Sequence, residues 1–321
     1  MQRIASLSLE GAPSVVGMGC ASLGSRIGRR EGLKALNRAF DAGITWFDVA
    51  PSYGDAEAET ILGEFMLARR GQVQICTKVG IKPAQTPMVM RVAKPILRCV
   101  TGWIPALRKY VSRARPMAAK LPISAELILR SVDASLQRLG TDYLDVLALH
   151  GAEPDEVVHD DIVAALERIV ALGKAKTISI ASSLESGLIG LAHSSIYRIV
   201  QVANNPFQPL LAQAAGRLPM GRKVTFVTHS AYGAFGALYR LRERIESSTT
   251  RLQILRDAGY GGNTEVTAAA FLADYALATN RSGITLFSML KKEHLDFNLW
   301  RLEHLPERNR VEQLARALLA A

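Results

Sequence analysis

The chain has 321 residues, of which 49% are hydrophobic and 21% are charged; this composition supports a large core and excludes a mostly disordered protein. The formal net charge is +10, but twelve of the 39 Lys and Arg residues lie between Phe65 and Ala125, a stretch without Asp or Glu. Because the rest of the chain is nearly neutral, the protein is a globule with one basic segment, which is not the charge pattern of a nucleic-acid-binding domain with basic residues over its whole surface.

Strand-like and helix-like patterns alternate along the chain. The predicted strands are short apolar runs at residues 14–19, 44–48, 73–78, 143–150, 177–181, 199–203, 223–228 and 283–287. The predicted helices carry an apolar face and cover residues 31–42, 56–69, 124–138, 156–172 and 265–279. Ser124 is the expected N-cap of the third helix, and Gly173 should end the fourth.

Eight strands separated by helical segments predict an α/β fold, a (β/α)8 TIM barrel, in a single domain over residues 1–321. The continuous apolar strands suit parallel strands that are covered on both faces. The alternative, an open doubly wound sheet, would carry a GxGxxG motif after an early strand, and none is present.

Two long excursions interrupt the repeat on the predicted C-terminal face of the barrel. One is a basic, proline-containing insertion at about residues 81–123, and the other is a Gly-, Tyr- and Arg-rich loop at about 229–262. Three interpretations of the insertion stay open: a lid that attracts an anionic substrate, a membrane-surface segment, or a solvated excursion. Its prolines disfavour the membrane interpretation, because they interrupt a continuous amphipathic helix.

The three cysteines, Cys20, Cys76 and Cys99, have no CxxC spacing. Cys20 and Cys76 lie in apolar runs, which predicts buried thiols in a reducing compartment. The first residues lack the pattern of a signal peptide, and no window approaches 18 uninterrupted apolar residues. We therefore expect a cytoplasmic protein with no bound metal.

Four ionisable residues fall at one end of the predicted barrel. Asp48, Lys78 and His150 end the second, third and fourth strands, and Tyr53 follows the second. Singly, each has a structural explanation, such as a turn former, a solvated cation or a structural histidine. Their coincidence on adjacent strands, at the end where barrel enzymes place catalytic groups, favours an active site.

These four residue types can together move a proton. Tyrosine titrates near ~10 in water, and a lysine ammonium beside it is expected to bring its pKa toward neutral pH. A carboxylate holds the lysine charged, and a histidine can donate a hydrogen bond to a substrate oxygen. This set predicts a proton relay beside a polarised carbonyl and needs no metal.

The segments FDVAPSYG around Asp48 and Tyr53, CTKVG around Lys78 and LALHG around His150 resemble the aldo-keto reductases. In that family the corresponding residues form a catalytic tetrad with tyrosine as general acid or base. The resemblance covers nearly the whole chain, and SMLKKEHLDFN is similar to the aldose-dehydrogenase branch. It implies an oxidoreductase that interconverts a carbonyl (an aldehyde, ketone or sugar lactol or lactone) and an alcohol by hydride transfer.

The resemblance also implies a cofactor, NADP or NAD, across the barrel mouth. Several expected contacts depart from the family pattern: Ser182 replaces an asparagine, His229 an aromatic residue, and His294 a frequent phosphate-binding arginine. Lys291 and Lys292 could neutralise a 2′-phosphate, which would favour NADP, or could be the solvated start of a helix, so the choice between NADP and NAD stays open. The expected cofactor residues are Gly19, Cys20, Ala21, Asp48, Ser182, Gln201, His229, Ser230, Ser288, Lys291, Lys292, His294 and Asn298.

Two other functions stay open from the sequence. The chain could be a non-catalytic nicotinamide-binding barrel with an auxiliary or regulatory role, or a lyase in which Lys78 forms a Schiff base. The expected partner is a small carbonyl or sugar, and Arg240, Arg242 and Arg244 are candidates for contacting an acidic one. The oligomeric state is not predicted.

Overall fold

A computed structural model describes residues 2, 12–82, 119–233 and 236–320. Its centre is a closed barrel of eight parallel strands, each paired with its neighbours in chain order and β1 paired with β8. The predicted (β/α)8 barrel is therefore confirmed. The strands are β1 (Val16–Gly19), β2 (Trp46–Asp48), β3 (Gln74–Val79), β4 (Leu144–His150), β5 (Ala175–Ala181), β6 (Tyr197–Ala203), β7 (Thr225–His229) and β8 (Ile284–Phe287).

Eleven α-helices are described around the barrel within these ranges. They are α1 (Arg29–Asp41), α2 (Glu57–Met66), α3 (Ala125–Leu139), α4 (Asp160–Ala171), α5 (Leu184–His193), α6 (Leu210–Ala214), α7 (Ala237–Glu246), α8 (Thr249–Asp257), α9 (Thr264–Thr279), α10 (Lys292–Glu303) and α11 (Arg308–Leu319). Short 3₁₀ turns cover Tyr53–Ala56, Arg70–Gln72 and Glu156–Val158. The Ser124 hydroxyl accepts a hydrogen bond from the Leu127 N–H, which confirms the predicted cap.

Inside the barrel, the large Trp46 side chain packs against Gly17, which has no side chain. A Cβ on Gly17 would lie 2.7 Å from Trp46 and 2.6 Å from Leu286, so only glycine leaves room for the buried indole. The register aligns Gly19 with Asp48 and Asp48 with Cys76. Parallel pairing thus brings the ends of successive strands to one rim of the barrel.

The prediction of a long loop at 229–262 is wrong in part, because this segment contains the helices α7 and α8. In α7 the buried residues Ala237, Leu241 and Ile245 recur every four positions, while the arginines between them stay partly or fully exposed. The apolar stripe packs with α9 and α11 in a second hydrophobic cluster beside the barrel. Tertiary burial therefore stabilises a helix whose composition looked loop-like.

The basic insertion and Cys99 fall largely or wholly outside the described residues, so the interpretations of the insertion stay predictions. Cys20 and Cys76 are free and fully buried, as expected. Within the described ranges, no helix combines the length and apolarity needed to cross a membrane.

A buried ion pair fastens α10 to α9. Asp274 in α9 is completely buried and accepts hydrogen bonds from the Arg301 guanidinium, with Nε at 2.7 Å from Oδ1, and from the Tyr260 hydroxyl at 2.8 Å. Burial raises the pKa of this carboxyl, while Arg301 and Tyr260 act in the opposite direction. The pair thereby fixes the helix that follows β8.

We predict that Arg301→Leu lowers the free energy of unfolding by about 3–5 kcal/mol at pH 8, because Asp274 is left buried without its cation. The loss should be smaller at pH 5, since the unpaired carboxyl then takes up a proton more readily. Urea unfolding measures both values. Arg308→Leu, which removes an exposed pair with Glu312, is the matched control and should cost under about 1 kcal/mol. Equal losses in the two variants would contradict this interpretation.

Candidate active site

The four predicted catalytic residues meet at the C-terminal rim of the barrel. Asp48 ends β2, Lys78 lies one residue before the end of β3, His150 ends β4, and Tyr53 starts the 3₁₀ turn after β2. The Lys78 ammonium forms a buried ion pair with Asp48 and lies 3.5 Å from the Tyr53 hydroxyl. The Tyr53 and His150 rings meet edge to face, with centroids 6.4 Å apart.

The backbone after β2 holds Tyr53 in place. The Tyr53 N–H donates to the Ala50 carbonyl at 3.0 Å, and Gly54 adopts a left-handed φ of 59°. A Cβ on Gly54 would lie 2.3 Å from the Leu23 carbonyl oxygen and 3.0 Å from Gly24 Cα. The turn that carries the tyrosine therefore packs backbone to backbone against the loop after β1, a contact that requires glycine.

Charge at the site is concentrated on Lys78. Burial is the largest single effect and disfavours the ammonium form, but the Asp48 carboxylate, Tyr53 and Cys76 together outweigh it and raise the pKa of Lys78 above its ordinary value. Its Nζ also donates to the Val49 carbonyl at 3.0 Å. Lys78 is therefore a fixed, fully charged hydrogen-bond donor under the tyrosine.

The pKa of Tyr53 differs from the sequence-based expectation. Burial raises it above the ordinary tyrosine value, and the positive charge of Lys78 lowers it by a smaller amount. The expected movement toward neutral pH is wrong for this structure, because the burial of this half-exposed residue raises its pKa by more than the Lys78 charge lowers it. Tyr53 consequently carries its proton at neutral pH and is available as a proton donor.

His150 is neutral at the same site. Burial, followed by the charge of Lys78 and the proximity of His229, lowers the pKa of His150 to about 3. A neutral imidazole keeps one N–H, which can donate a hydrogen bond to an oxygen placed beside Tyr53. Burial also lowers the pKa of His229, so the two histidines add no positive charge.

A cavity of about 670 Å³ opens above these residues and runs toward α9 and α10. Nine of the predicted cofactor residues line it, on β1, β2, β6, β7 and β8 and the segments that follow them. They are Gly19, Ala21, Asp48, Gln201, His229, Ser230, Ser288, His294 and Asn298. In the described part of the chain, no group of three or more His, Cys, Asp or Glu side chains is arranged to hold a metal ion.

Four predicted cofactor residues do not line this cavity. The Cys20 side chain is buried with its sulfur 3.7 Å from the Met18 carbonyl oxygen, and the Ser182 hydroxyl donates to the Ala152 carbonyl at 2.7 Å. The exposed Lys291 and Lys292 pair with Glu293 at 3.4 Å and with Asp296 at 2.6 Å. Each of the four thus has a local partner.

Several lining residues were not singled out from the sequence. Arg26 lies in the loop after β1, Tyr232 in the loop after β7, and Phe297 in α10. The Tyr232 hydroxyl donates to Asn298 Oδ1 at 2.7 Å, and its ring packs on Phe287 with centroids 5.6 Å apart. Their only sequence signal is a position after a strand of the barrel, which many surface residues share.

We predict that acid destabilises the wild-type protein more than a His150→Gln variant. The folded pKa of about 3 lies below the ordinary histidine value of about 6.5, so between these pH values only the unfolded chain binds the extra proton. Stability therefore falls as the pH falls through this window. Between pH 8 and pH 5 the free energy of unfolding of the wild type should fall by about 2 kcal/mol more than that of the variant.

Urea unfolding at both pH values gives this difference, and comparing each protein with itself removes the basal effect of the substitution. The exposed His193 provides the control. His193→Gln should keep the full wild-type acid sensitivity, and the prediction fails if His150→Gln does so too.

Comparison with known proteins places the chain in a family. The model of the aldo/keto reductase family matches residues 15–316. The chain is 28% identical over 169 residues to an aldo-keto reductase of Alternaria alternata and 29% identical over 173 residues to L-galactose dehydrogenase of Arabidopsis thaliana. Each match covers 52% of this chain and 44% of the relative, so it spans less than half of the relative's length.

Solved structures give the same fold. A crystal structure of an aldo-keto reductase from Klebsiella pneumoniae in complex with NADPH aligns with a TM-score of 0.67 at 19% identity, covering 99% of this chain and 96% of that one. An aldo-keto reductase from Bacillus halodurans aligns with the same score and identity and covers 99% and 95%. Because the family model matches nearly the whole length of this chain, the chain belongs to the aldo/keto reductase family.

Proposed function

We propose that the protein is an NAD(P)-dependent oxidoreductase that interconverts a carbonyl and an alcohol, with Tyr53 as the general acid or base. The observation that carries the proposal is the Tyr53 hydroxyl 3.5 Å from the buried Lys78 ammonium, in the lining of the cavity. A cavity of this volume suits a cofactor and a small substrate together. Family membership supports the same reaction class.

Tyr53, Lys78 and His150 each have a separate role at the carbonyl oxygen. When bound, the nicotinamide supplies the hydride for reduction or accepts it for oxidation. As the carbonyl carbon gains the hydride, the Tyr53 O–H bond breaks and its proton passes to the oxygen, which gives the alcohol. The remaining phenolate is stabilised by the Lys78 ammonium, and His150 positions the oxygen through one N–H. In oxidation each transfer runs in reverse.

Asp48 acts through Lys78. It holds the ammonium in a buried ion pair, so that the positive charge is already in place when negative charge develops on Tyr53. The same pair argues against the lyase alternative, because a lysine with a raised pKa is protonated and is a poor nucleophile. We therefore assign Lys78 to electrostatic stabilisation.

The lining residues offer suitable contacts for a dinucleotide. Gln201 on β6, Ser230 directly after β7, and His294 and Asn298 on α10 all line the cavity. Asn298 already accepts from Tyr232 through Oδ1, which leaves its N–H groups for a ligand. NADP is supported by the NADPH bound to the Klebsiella pneumoniae relative, while Lys291 and Lys292, paired with acids, provide no independent support. NADP or NAD is therefore proposed as the cofactor.

The substrate is proposed to be an aldehyde, ketone or sugar lactol. The similarity to L-galactose dehydrogenase supports testing sugars in the oxidative direction. The non-catalytic alternative predicts cofactor binding without turnover, so a broad panel of carbonyls and sugars separates the two functions.

We predict that Tyr53→Phe lowers kcat/KM for carbonyl reduction by about 10²–10⁴-fold, because the proton donor is lost while the ring remains. Absorbance of NADPH or NADH at the nicotinamide band measures the rate with each substrate. Affinity for the cofactor, measured by fluorescence titration, should change little.

Tyr239→Phe makes the same chemical change on an exposed side chain and serves as the control. Its rate should match that of the wild type. Turnover by Tyr53→Phe at the wild-type rate would exclude the assigned role, and cofactor binding without turnover of any substrate would favour the non-catalytic alternative.

A further inference from the structure

The charged residues that line the cavity are nearly all paired. Asp48 forms an ion pair with Lys78, and Glu265 on α9 pairs with Arg242 at 3.2 Å. Arg26 is the exception: among the described residues its guanidinium has neither a hydrogen-bond acceptor nor an acidic partner. The cavity wall therefore presents an uncompensated positive charge.

Arg26 is carried by a well-ordered turn. The N–H groups of Ser25, Arg26 and Ile27 lie 3.0–3.3 Å from one acceptor, the Ser22 carbonyl oxygen, and the neighbouring Leu23 is completely buried. These contacts fix the backbone from which the long side chain projects. The guanidinium itself stays exposed at the cavity mouth, where an incoming ligand can reach it.

The turn lies on the tyrosine side of the cavity. Gly24, two residues before Arg26, packs against Gly54, the residue after Tyr53, at a separation that excludes a side chain. Glu265 on α9 and Phe297 and Asn298 on α10 line other parts of the same cavity. Arg26 thus adjoins the floor where the carbonyl would react.

We propose that Arg26 is a specificity-determining residue that binds an anionic group of the substrate, most simply a carboxylate, while the carbonyl lies at Tyr53. The inference rests on the proposed function and adds a substrate class to it. A guanidinium suits this role because its planar array of N–H donors matches the two oxygens of a carboxylate.

The arginines predicted from the sequence for this role are not among the residues that line the cavity. Arg242 is held by Glu246 and Glu265, Arg244 contacts the Leu319 carbonyl, and Arg240 packs over the Phe207 ring at 4.3 Å. Arg26 replaces them as the candidate for an acidic substrate.

The test uses two aldehydes of nearly the same shape, 4-carboxybenzaldehyde, which is anionic, and 4-formylbenzamide, which is neutral. In Arg26→Gln, kcat/KM should fall about tenfold for the acid, as expected for loss of a charge-assisted hydrogen bond, and less than about twofold for the amide. The acid-specific loss should shrink at high salt, because Arg26 is exposed and its charge is screened. Arg30→Gln, an exposed arginine that does not line the cavity, is the matched control and should leave both values unchanged.

Binding provides a readout that does not require turnover. Calorimetric titration of benzoate and benzamide, with and without saturating NADP⁺, should show weaker binding of benzoate alone in Arg26→Gln. If this occurs without turnover of any substrate, the proposed function fails and the anion site stands. If both aldehydes turn over and Arg26→Gln lowers kcat/KM equally for both, or for neither, the anion site is refuted and the proposed function stands. If Arg26→Gln weakens the binding of NADP⁺ as much as that of benzoate, Arg26 is assigned to the cofactor phosphates and the proposal is also refuted.

Discussion

The site depends on one buried ion pair, between Lys78 and Asp48. Both side chains are almost completely buried at the ends of adjacent strands, where neither charge is tolerated alone. Their attraction keeps the lysine charged, and that charge in turn acts on Tyr53 and His150 in different directions. It opposes the rise in the tyrosine pKa and contributes to the fall in the histidine pKa. One interaction thus helps to set the protonation of the two groups that we propose to act on the carbonyl oxygen.

The barrel supplies the geometry that this pair requires. Parallel strands in register bring Asp48, Lys78 and His150 to one rim although they lie up to about a hundred residues apart in the chain. Beneath them, Gly17 admits the Trp46 side chain and the interior closes tightly. Burial raises the pKa of the nearby Cys20 and Cys76 thiols, so they stay neutral and do not compete for the lysine. The packed core therefore gives the site its low dielectric.

Another wall of the cavity is built by helices from the C-terminal part of the chain. The Asp274–Arg301 pair fastens α10 to α9, and the Tyr232 hydroxyl connects the loop after β7 to Asn298 on α10. These contacts hold α9, α10 and the loop after β7 together at this wall of the cavity. The wall that carries the proposed catalytic residues is formed by strand ends, whereas this wall depends on helix packing. The two walls can therefore differ independently among proteins of one fold.

The eight strands could be predicted from the sequence because short apolar runs are a local signal, and the strand ends then indicated which side chains share a rim. Helices α7 and α8 were missed because their apolar stripes become evident only against α9 and α11. The direction of the Tyr53 pKa shift could not be predicted, since it depends on how deeply the hydroxyl is buried. Arg26 could not be distinguished from a surface arginine in the sequence, because only the packing of Gly24 against Gly54 brings its loop beside Tyr53.

We propose that Tyr53 is a half-buried proton donor whose pKa is raised by burial and lowered by a smaller amount by Lys78. Ultraviolet difference titration of the wild type against Tyr53→Phe isolates the Tyr53 phenolate from those of the other tyrosines. We expect its midpoint above the ordinary tyrosine value of about 10 in the wild type, and higher still in a double Asp48→Asn, Lys78→Met variant, which lacks the pair without leaving a lone charge. A wild-type midpoint below about 9, or a lower midpoint in the double variant, would contradict the account.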